Sequence, residues 1–352
     1  MFGRGWVGAV LFGELAVVLL GLALLVSHGL LSRVRDRVNR RRLKRGRLAL
    51  AQALGVAVAD QQPEDQVALS RLSVSQQTAL IAELQPSLTL SQRRELANIG
   101  RGAAIEARGL RLSRSRRWRR RLRGARLLTL LGRGEQAMPA LLADPSPPVR
   151  AQAAEWAAEH PSAEVVRDLV EMLVTSDPAT RFAVKDALLR IRGPTLEPLI
   201  EALGTASGEA AARLLEVAQW LPDPRLADPA IRLAADPDER TRTEAVRLLG
   251  AIGGAEAVLA LDGALVDRAA GVRAAAAEAH GRLGLWQATS RLAELLRDES
   301  WDVRSAAGRA LRVLGSPGQL ALRAMLDDED RFAREMARHV LDLPGAVRGA
   351  PA

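Results

Sequence analysis

The sequence predicts an all-α chain in which an N-terminal transmembrane helix is followed by an α-solenoid of stacked helix pairs. Two observations carry this prediction. The first is an arginine that returns about every thirty residues, at Arg121, Arg150, Arg181, Arg242, Arg273, Arg304 and Arg334, with spacings of 29, 31, 61, 31, 31 and 30. A period of this size belongs to helical repeats, in which each unit buries its apolar face only against its neighbours. The second is the run from Trp6 to Leu31, WVGAVLFGELAVVLLGLALLVSHGLL, which holds one carboxylate, Glu14. As a helix it would be roughly 39 Å long, enough to cross a hydrocarbon core of about 30 Å with some tilt.

A cleaved signal peptide is the competing reading of residues 6–31. Its apolar stretch would be shorter and would end in a small-x-small site. Here an Arg-rich segment follows instead, so the run is expected to be a membrane anchor within residues 1–32. Glu14 either reaches the interface or sits protonated, or pairs with a polar group on another helix. Ala9 and Gly13 form a small-xxx-small pair that would let such a helix approach. Residues 33–65 form a basic juxtamembrane helix and linker. Nine basic groups, Arg33, Arg35, Arg37, Arg40, Arg41, Arg42, Lys44, Arg45 and Arg47, stand there against Asp36 up to residue 47. Only Arg4 and the terminal amine precede the anchor, so the bias of basic residues puts the C-terminal side in the cytoplasm of a bacterial cell.

Residues 66–112 do not follow the repeat. Ser73 with Gln76, and Thr89 with Gln92, fit capping boxes that open two helices. This segment is expected to cap the end of the solenoid. The solenoid itself spans 113–343, and 344–352 is a tail expected to be disordered. Its first repeat helix is RSRRWRRRLRGARLLTLLG, with Trp118, Leu122, Ala125 and Leu128 on or near one face. After it an apolar helix, a short Asp/Pro turn and an arginine-bearing second helix alternate. Gly132, Gly253, Gly284 and Gly315 each lie eleven residues after their arginine and fit helix C-caps. The repeat at 195–221 is degenerate, with Ala212 at the arginine position and GTASGEA in place of the turn.

These motifs, for example DPSPPVRAQAAEWA from Asp144 and DESWDVRSAAGRALRVLG from Asp298, resemble the HEAT-like repeats of bacterial proteins, the short variety also seen in phycobilisome lyases. The resemblance covers about 114–343. The overall plan resembles bacterial membrane-anchored HEAT-repeat proteins. That resemblance implies company with membrane glycosyltransferases that make surface polysaccharide.

The charge is unevenly spread. Residues 1–50 carry +8, 113–133 carry +9, and 134–352 carry −8. A solenoid that wraps nucleic acid should be basic along its length, so nucleic acid is not expected as a partner. The arginine block, with Arg116, Arg117, Arg119 and Arg120 around Trp118, is either a solvated face or a surface that meets anionic lipid headgroups. Few aromatics accompany it for base stacking.

The recurring acids and arginines have a structural reading. Each Asp (144, 236, 267, 298, 328) would cap the second helix, and the arginine six residues on would pair with an Asp of a neighbouring repeat. That ladder comprises Asp144, Arg150, Arg181, Asp236, Arg242, Asp267, Arg273, Asp298 and Arg304. Trp301 stands where other turns carry Pro147, Glu239 or Ala270, and is a candidate contact for a protein partner. Trp156, Trp220 and Trp286 are expected in the core.

With no cysteine and four scattered histidines, disulfides and Cys-based metal sites are excluded. No P-loop, Gly-x-Ser-x-Gly, His-Glu-x-x-His or dinucleotide fingerprint is present. The expected function is a non-catalytic scaffold at the cytoplasmic membrane, with no cofactor and a membrane-associated protein partner. A lyase- or glycosylase-type enzyme and a nucleic-acid-binding solenoid are the alternatives.

Overall fold

A computed structural model describes residues 72–84, 88–98 and 102–343. Among them every regular element is a helix. The chain divides into two compact units between Met138 and Pro139.

In the first unit, α1 is Val74–Leu84, α2 Leu90–Asn98, α3 Gly102–Ser113 and α4 Trp118–Leu131. Both capping boxes close. Ser73 N–H donates to Gln76 Oε1 at 2.9 Å and Gln76 N–H to Ser73 Oγ at 3.2 Å. Thr89 and Gln92 do the same at 2.9 and 3.3 Å. Ile81, Ile105, Leu128 and Leu131 are fully buried. Helices α3 and α4 meet closely at Gly124, where a Cβ would come within 2.7 Å of the Gly109 carbonyl oxygen and 2.5 Å of Ser113 N. No side chain fits there. The arginine-rich helix α4 packs on α3 and belongs to this first unit.

The second unit is the solenoid. Helix α5 (Met138–Leu142) lies at the junction, followed by α6 (Pro147–Ala157). The further pairs are α7 (Ala163–Thr175) with α8 (Pro178–Ile191), α9 (Leu196–Thr205) with α10 (Gly208–Ala218), and α11 (Ala227–Leu233) with α12 (Glu239–Ile252). Next come α13 (Ala255–Ala264) with α14 (Ala270–Leu283), α15 (Thr289–Glu294) with α16 (Trp301–Val313), and α17 (Ser316–Ala324) with α18 (Arg331–Asp342).

First helices such as α7 and α9 are amphipathic. On α7, Val165, Val166, Leu169, Val170 and Leu173 point inward. The second helices are rich in alanine, so their backbones can lie close. They pack on one another from α10 through α16, and α6 packs on α8. Helices α8 and α10 barely meet. That thin joint falls at the degenerate repeat.

Glycine ends several helices. Gly132 and Gly284 adopt the left-handed conformation, with φ of 59° and 68°. Gly253 and Gly315 also have positive φ, but with ψ near −160° and −134°, so they turn the chain without the left-handed geometry expected of them. The same position in the second repeat, eleven residues after Arg181, is Arg192. It is held at φ 61°, ψ −107°. Among the described residues no other non-glycine has positive φ.

Candidate functional site

The recurring arginine is used in one way in five of the repeats. Its Nη1 donates to the carbonyl oxygen of the Asp six residues earlier, in Arg150–Asp144, Arg242–Asp236, Arg273–Asp267, Arg304–Asp298 and Arg334–Asp328, at 2.6 to 2.9 Å. The guanidinium thus satisfies carbonyls of the turn that precedes its own helix. The other edge reaches the following repeat. Arg242 grips Asp267 through Nε and Nη2 at 2.9 and 3.0 Å, and Arg273 grips Asp298 at 2.7 and 2.8 Å. Arg150 reaches Asp177.

The aspartates are not N-caps, contrary to the sequence reading. Asp144, Asp236, Asp267, Asp298 and Asp328 each stand two residues before the N-cap. Each accepts the backbone N–H two residues on, at 2.8 to 3.0 Å. The chain needs those two residues to turn into the helix. The N-caps are Ser146, Asp238, Ala269, Ser300 and Asp330. The Asp carboxylate therefore closes an Asx-type turn, and at Asp267 and Asp298 it also receives the preceding repeat's arginine.

Electrostatics follow this geometry. Burial pushes the Asp267 and Asp298 carboxyls up, but the hydrogen bonds from Arg242 and Arg273, with backbone N–H donors, outweigh it and hold both below the usual carboxylate value. Asp177 is held low chiefly by the Thr180 hydroxyl. Asp328 is lowered to about 2, first by its hydrogen bond from Arg297.

Ala212 supplies no arginine, and two of the recurring arginines lack an acid on the next repeat. Arg181 donates to the Ser176 carbonyl at 3.1 Å, but residues 206–208 offer it no carboxylate, and its buried Nε has no hydrogen-bond partner. Arg304 finds no acid on the next repeat. Its guanidinium carbon lies 4.7 Å from the centre of the Phe332 ring.

Trp301 is the first residue of α16 and is 61% exposed. Trp156 is buried and stacks on His160 at 4.2 Å. Trp220 and Trp286, expected in the core, are 68% and 61% exposed. Both lie where one helix hands over to the next rather than within an apolar face. Phe182 is exposed as well.

In the first unit, Arg114, Arg116, Arg117, Arg119, Arg120, Arg123 and Arg126 are all exposed. None enters an ion pair among the described residues. Arg119 lies 5.3 Å from the Trp118 ring centre, and Trp118 is 41% exposed rather than in the core. Arg121 differs, turning back to the Ser115 and Arg116 carbonyls. These arginines crowd the N-terminal turns of α4, where the helix dipole already favours anions. The expected anchor, with Ala9, Gly13 and Glu14, and the basic segment from Arg33 to Arg47 lie outside the described residues. Among the described residues no helix is long and apolar enough to cross a membrane.

Two features escaped the sequence. His280 is fully buried, with Nδ1 2.8 Å from the Ala276 carbonyl and Nε2 3.0 Å from Asp262. A hollow of about 480 Å³ lies beside α7, lined by Asp144, Arg150, Asp168, Glu171 and Met172. Burial, then Glu164 and Glu171, push the Asp168 carboxyl up. Single acids on an amphipathic helix carry no signal that a hollow will form beside them.

The stacked pairs and their arginine rungs define an α-solenoid. Residues 134–209, 196–280 and 261–342 match the family of HEAT repeats, more than half of the chain, and the chain belongs to that family. No curated protein matches the sequence. The chain also shows similarity to solved structures, three of which follow. The Escherichia coli protein YibA is 17% identical, with 68% of this chain and 95% of that one covered, at a TM-score of 0.40. Human deoxyhypusine hydroxylase is 23% identical, with 71% and 96% covered and a TM-score of 0.30. The phycocyanin lyase complex CpcE–CpcF of Nostoc is 17% identical, with 67% and 93% covered and a TM-score of 0.32. None of these likenesses bears on the activity of this chain.

Proposed function

We propose that this HEAT-repeat protein is a non-catalytic scaffold, anchored in the bacterial cytoplasmic membrane by residues 6–31, with its solenoid in the cytoplasm. It holds a membrane-associated protein partner, such as a component of a membrane glycosyltransferase complex. One observation supports this most. The recurring arginines and aspartates are consumed inside the fold, whereas large apolar side chains are left in water. Trp301, Phe182, Trp220, Trp286 and Phe332 are each more than half exposed. Exposed aromatics of this kind become anchors in protein interfaces. The exposed Arg116, Arg117, Arg119 and Arg120 at the start of α4 would meet anionic headgroups, each contributing on the order of 1 kcal/mol near such a surface.

The deciding experiment is affinity capture of the full-length protein from detergent-solubilised membranes, beside a form lacking residues 1–47. The scaffold reading requires a protein that copurifies with the anchored form and a function lost without the anchor. Full rescue of a knockout by the unanchored form would sink it.

The enzyme alternative has one observation in its favour, the hollow beside α7 with Asp168 and Glu171 on its wall. The buried pair His280 and Asp262 offers it nothing, because His280 has no access to a substrate. Asp168→Asn and Glu171→Gln separate the readings. A scaffold tolerates both, whereas an enzyme of this type loses its function with one of them.

A further inference from the structure

The turns that open α16 and α18 carry an exposed patch with its own chemistry. Trp301 is 61% exposed and Phe332 54% exposed. Arg304 joins them. It lies one helical turn after Trp301, and its guanidinium covers the Phe332 ring while donating to the Asp298 and Glu299 carbonyls. On the same two turns Glu299, Asp302 and Glu329 are exposed and enter no ion pair among the described residues. The nearby basic groups are engaged, Arg331 by Glu335 and Arg297 by Asp328.

We propose that this patch is the docking surface for a cationic segment of the partner protein, one in which arginine or lysine alternates with apolar side chains. This rests on the scaffold reading above and names the chemistry of its partner. Charge complementarity selects the occupant. Three unpaired carboxylates lie on the turns that carry the two rings, and an acidic or nucleic-acid ligand would meet repulsion from them. The rings select it too. A guanidinium already stacks on Phe332 within the chain, and the open Trp301 ring offers the same contact to a second cation, with tryptophan the stronger platform. The apolar body of Trp301 then covers the partner's aliphatic side chains, as a central aromatic anchor does in protein interfaces.

The test uses the full-length protein and a fluorescein-labelled octapeptide of four Arg–Leu repeats, with a Glu–Leu octapeptide as control, followed by anisotropy. Wild type should bind the Arg–Leu peptide and not the control, and the binding should fade as salt rises. Trp301→Ala should weaken it about tenfold. Glu299→Lys with Glu329→Lys should weaken it at least as much. Unchanged circular dichroism melting of these surface variants guards against misfolding. No binding by wild type overturns the proposal, as does binding by the variants within about twofold of wild type. Capture of a membrane partner that persists in Trp301→Ala would remove this patch while leaving the scaffold reading in place. Absence of any captured partner would remove the scaffold reading itself.

Discussion

The Asp298 carboxylate holds two successive repeats together. It receives Arg273 from the preceding second helix through Nε and Nη2, and the Ser300 N–H of its own turn at 2.9 Å. Their side chains are only 12% and 8% exposed. Removing one partner of such a pair strands a buried charge, at a cost of about 3–5 kcal/mol. Asp298→Ala should therefore destabilise the solenoid by about 3 kcal/mol in urea unfolding. The exposed pair Arg309–Glu278 is the control. Glu278→Ala should cost less than about 1 kcal/mol. Equal losses from the two would mean that burial does not set the strength of the rung.

The same rungs set the response to acid. The rung acids Asp177, Asp267 and Asp298, together with Asp238 and Asp328 on the same turns, all have carboxyls lowered from the usual value of 3.8. A group lowered in the folded state stabilises the fold above its unfolded value. That contribution is lost as pH falls through the folded value. For Asp328 the window runs from 3.8 down to about 2. Stability should change little between pH 6 and pH 4.5 and fall steeply from pH 4 to pH 2. Thermal melts across that range would check it, and Asp328→Asn should flatten part of the slope.

Much of this was legible from spacing alone. The period, the helix pairs and the Arg–Asp partnership follow from Arg242, Arg273 and their acids, because a repeat writes the same contact several times. The two-residue offset of the aspartates was legible only in part. The DPD, DES and DED turns carry a second candidate cap two residues on, but sequence does not say which residue opens the helix. Trp220 and Trp286 were misplaced for another reason. Periodicity assigns faces within a helix, and both lie at helix ends, where it has no purchase. The hollow beside α7 depends on how neighbouring helices diverge, which no local pattern encodes.

Arg192 is a place where the chain departs from its own rule. Glycine occupies this position in other repeats, and Arg192 holds φ 61°, ψ −107° there. An L-residue in such a region is strained by about 1–3 kcal/mol. Its side chain is exposed, so little is lost by removing it. Arg192→Gly should stabilise the protein by about 1 kcal/mol. A loss of stability in denaturant titration would show that the backbone is relaxed there.

The arginines of α4 make a prediction for the first unit. Replacing Arg116, Arg117, Arg119 and Arg120 with glutamine should weaken cosedimentation of the full-length protein with vesicles that contain anionic lipid. The decrease should shrink at high salt, where charges are screened. The fold should be indifferent, since none of the four enters an ion pair among the described residues. Unchanged vesicle binding at low salt would remove these residues from any membrane contact.

The last prediction concerns the joint between α8 and α10. Arg181 has its backbone half of a rung but no acid, and its Nε is buried without a partner. The N-cap of α10, Ser207, makes no side-chain capping bond. Its counterpart one repeat earlier is Asp177, which caps α8 and takes Arg150 as well. Ser207→Asp would restore both functions at once. The cap is worth about 1 kcal/mol, and satisfying the buried donor adds about 1 kcal/mol or more. The variant should be about 1–2 kcal/mol more stable, and Arg181→Ala should cancel most of the gain in a double-mutant cycle. Hydrogen exchange locates the effect. In wild type the amides of 196–218 should exchange faster than those of α12 to α16, where second helices pack on one another, and Ser207→Asp should slow them. A gain that survives Arg181→Ala would assign it to the cap alone, and no gain at all would mean that the thin joint is not caused by the missing acid.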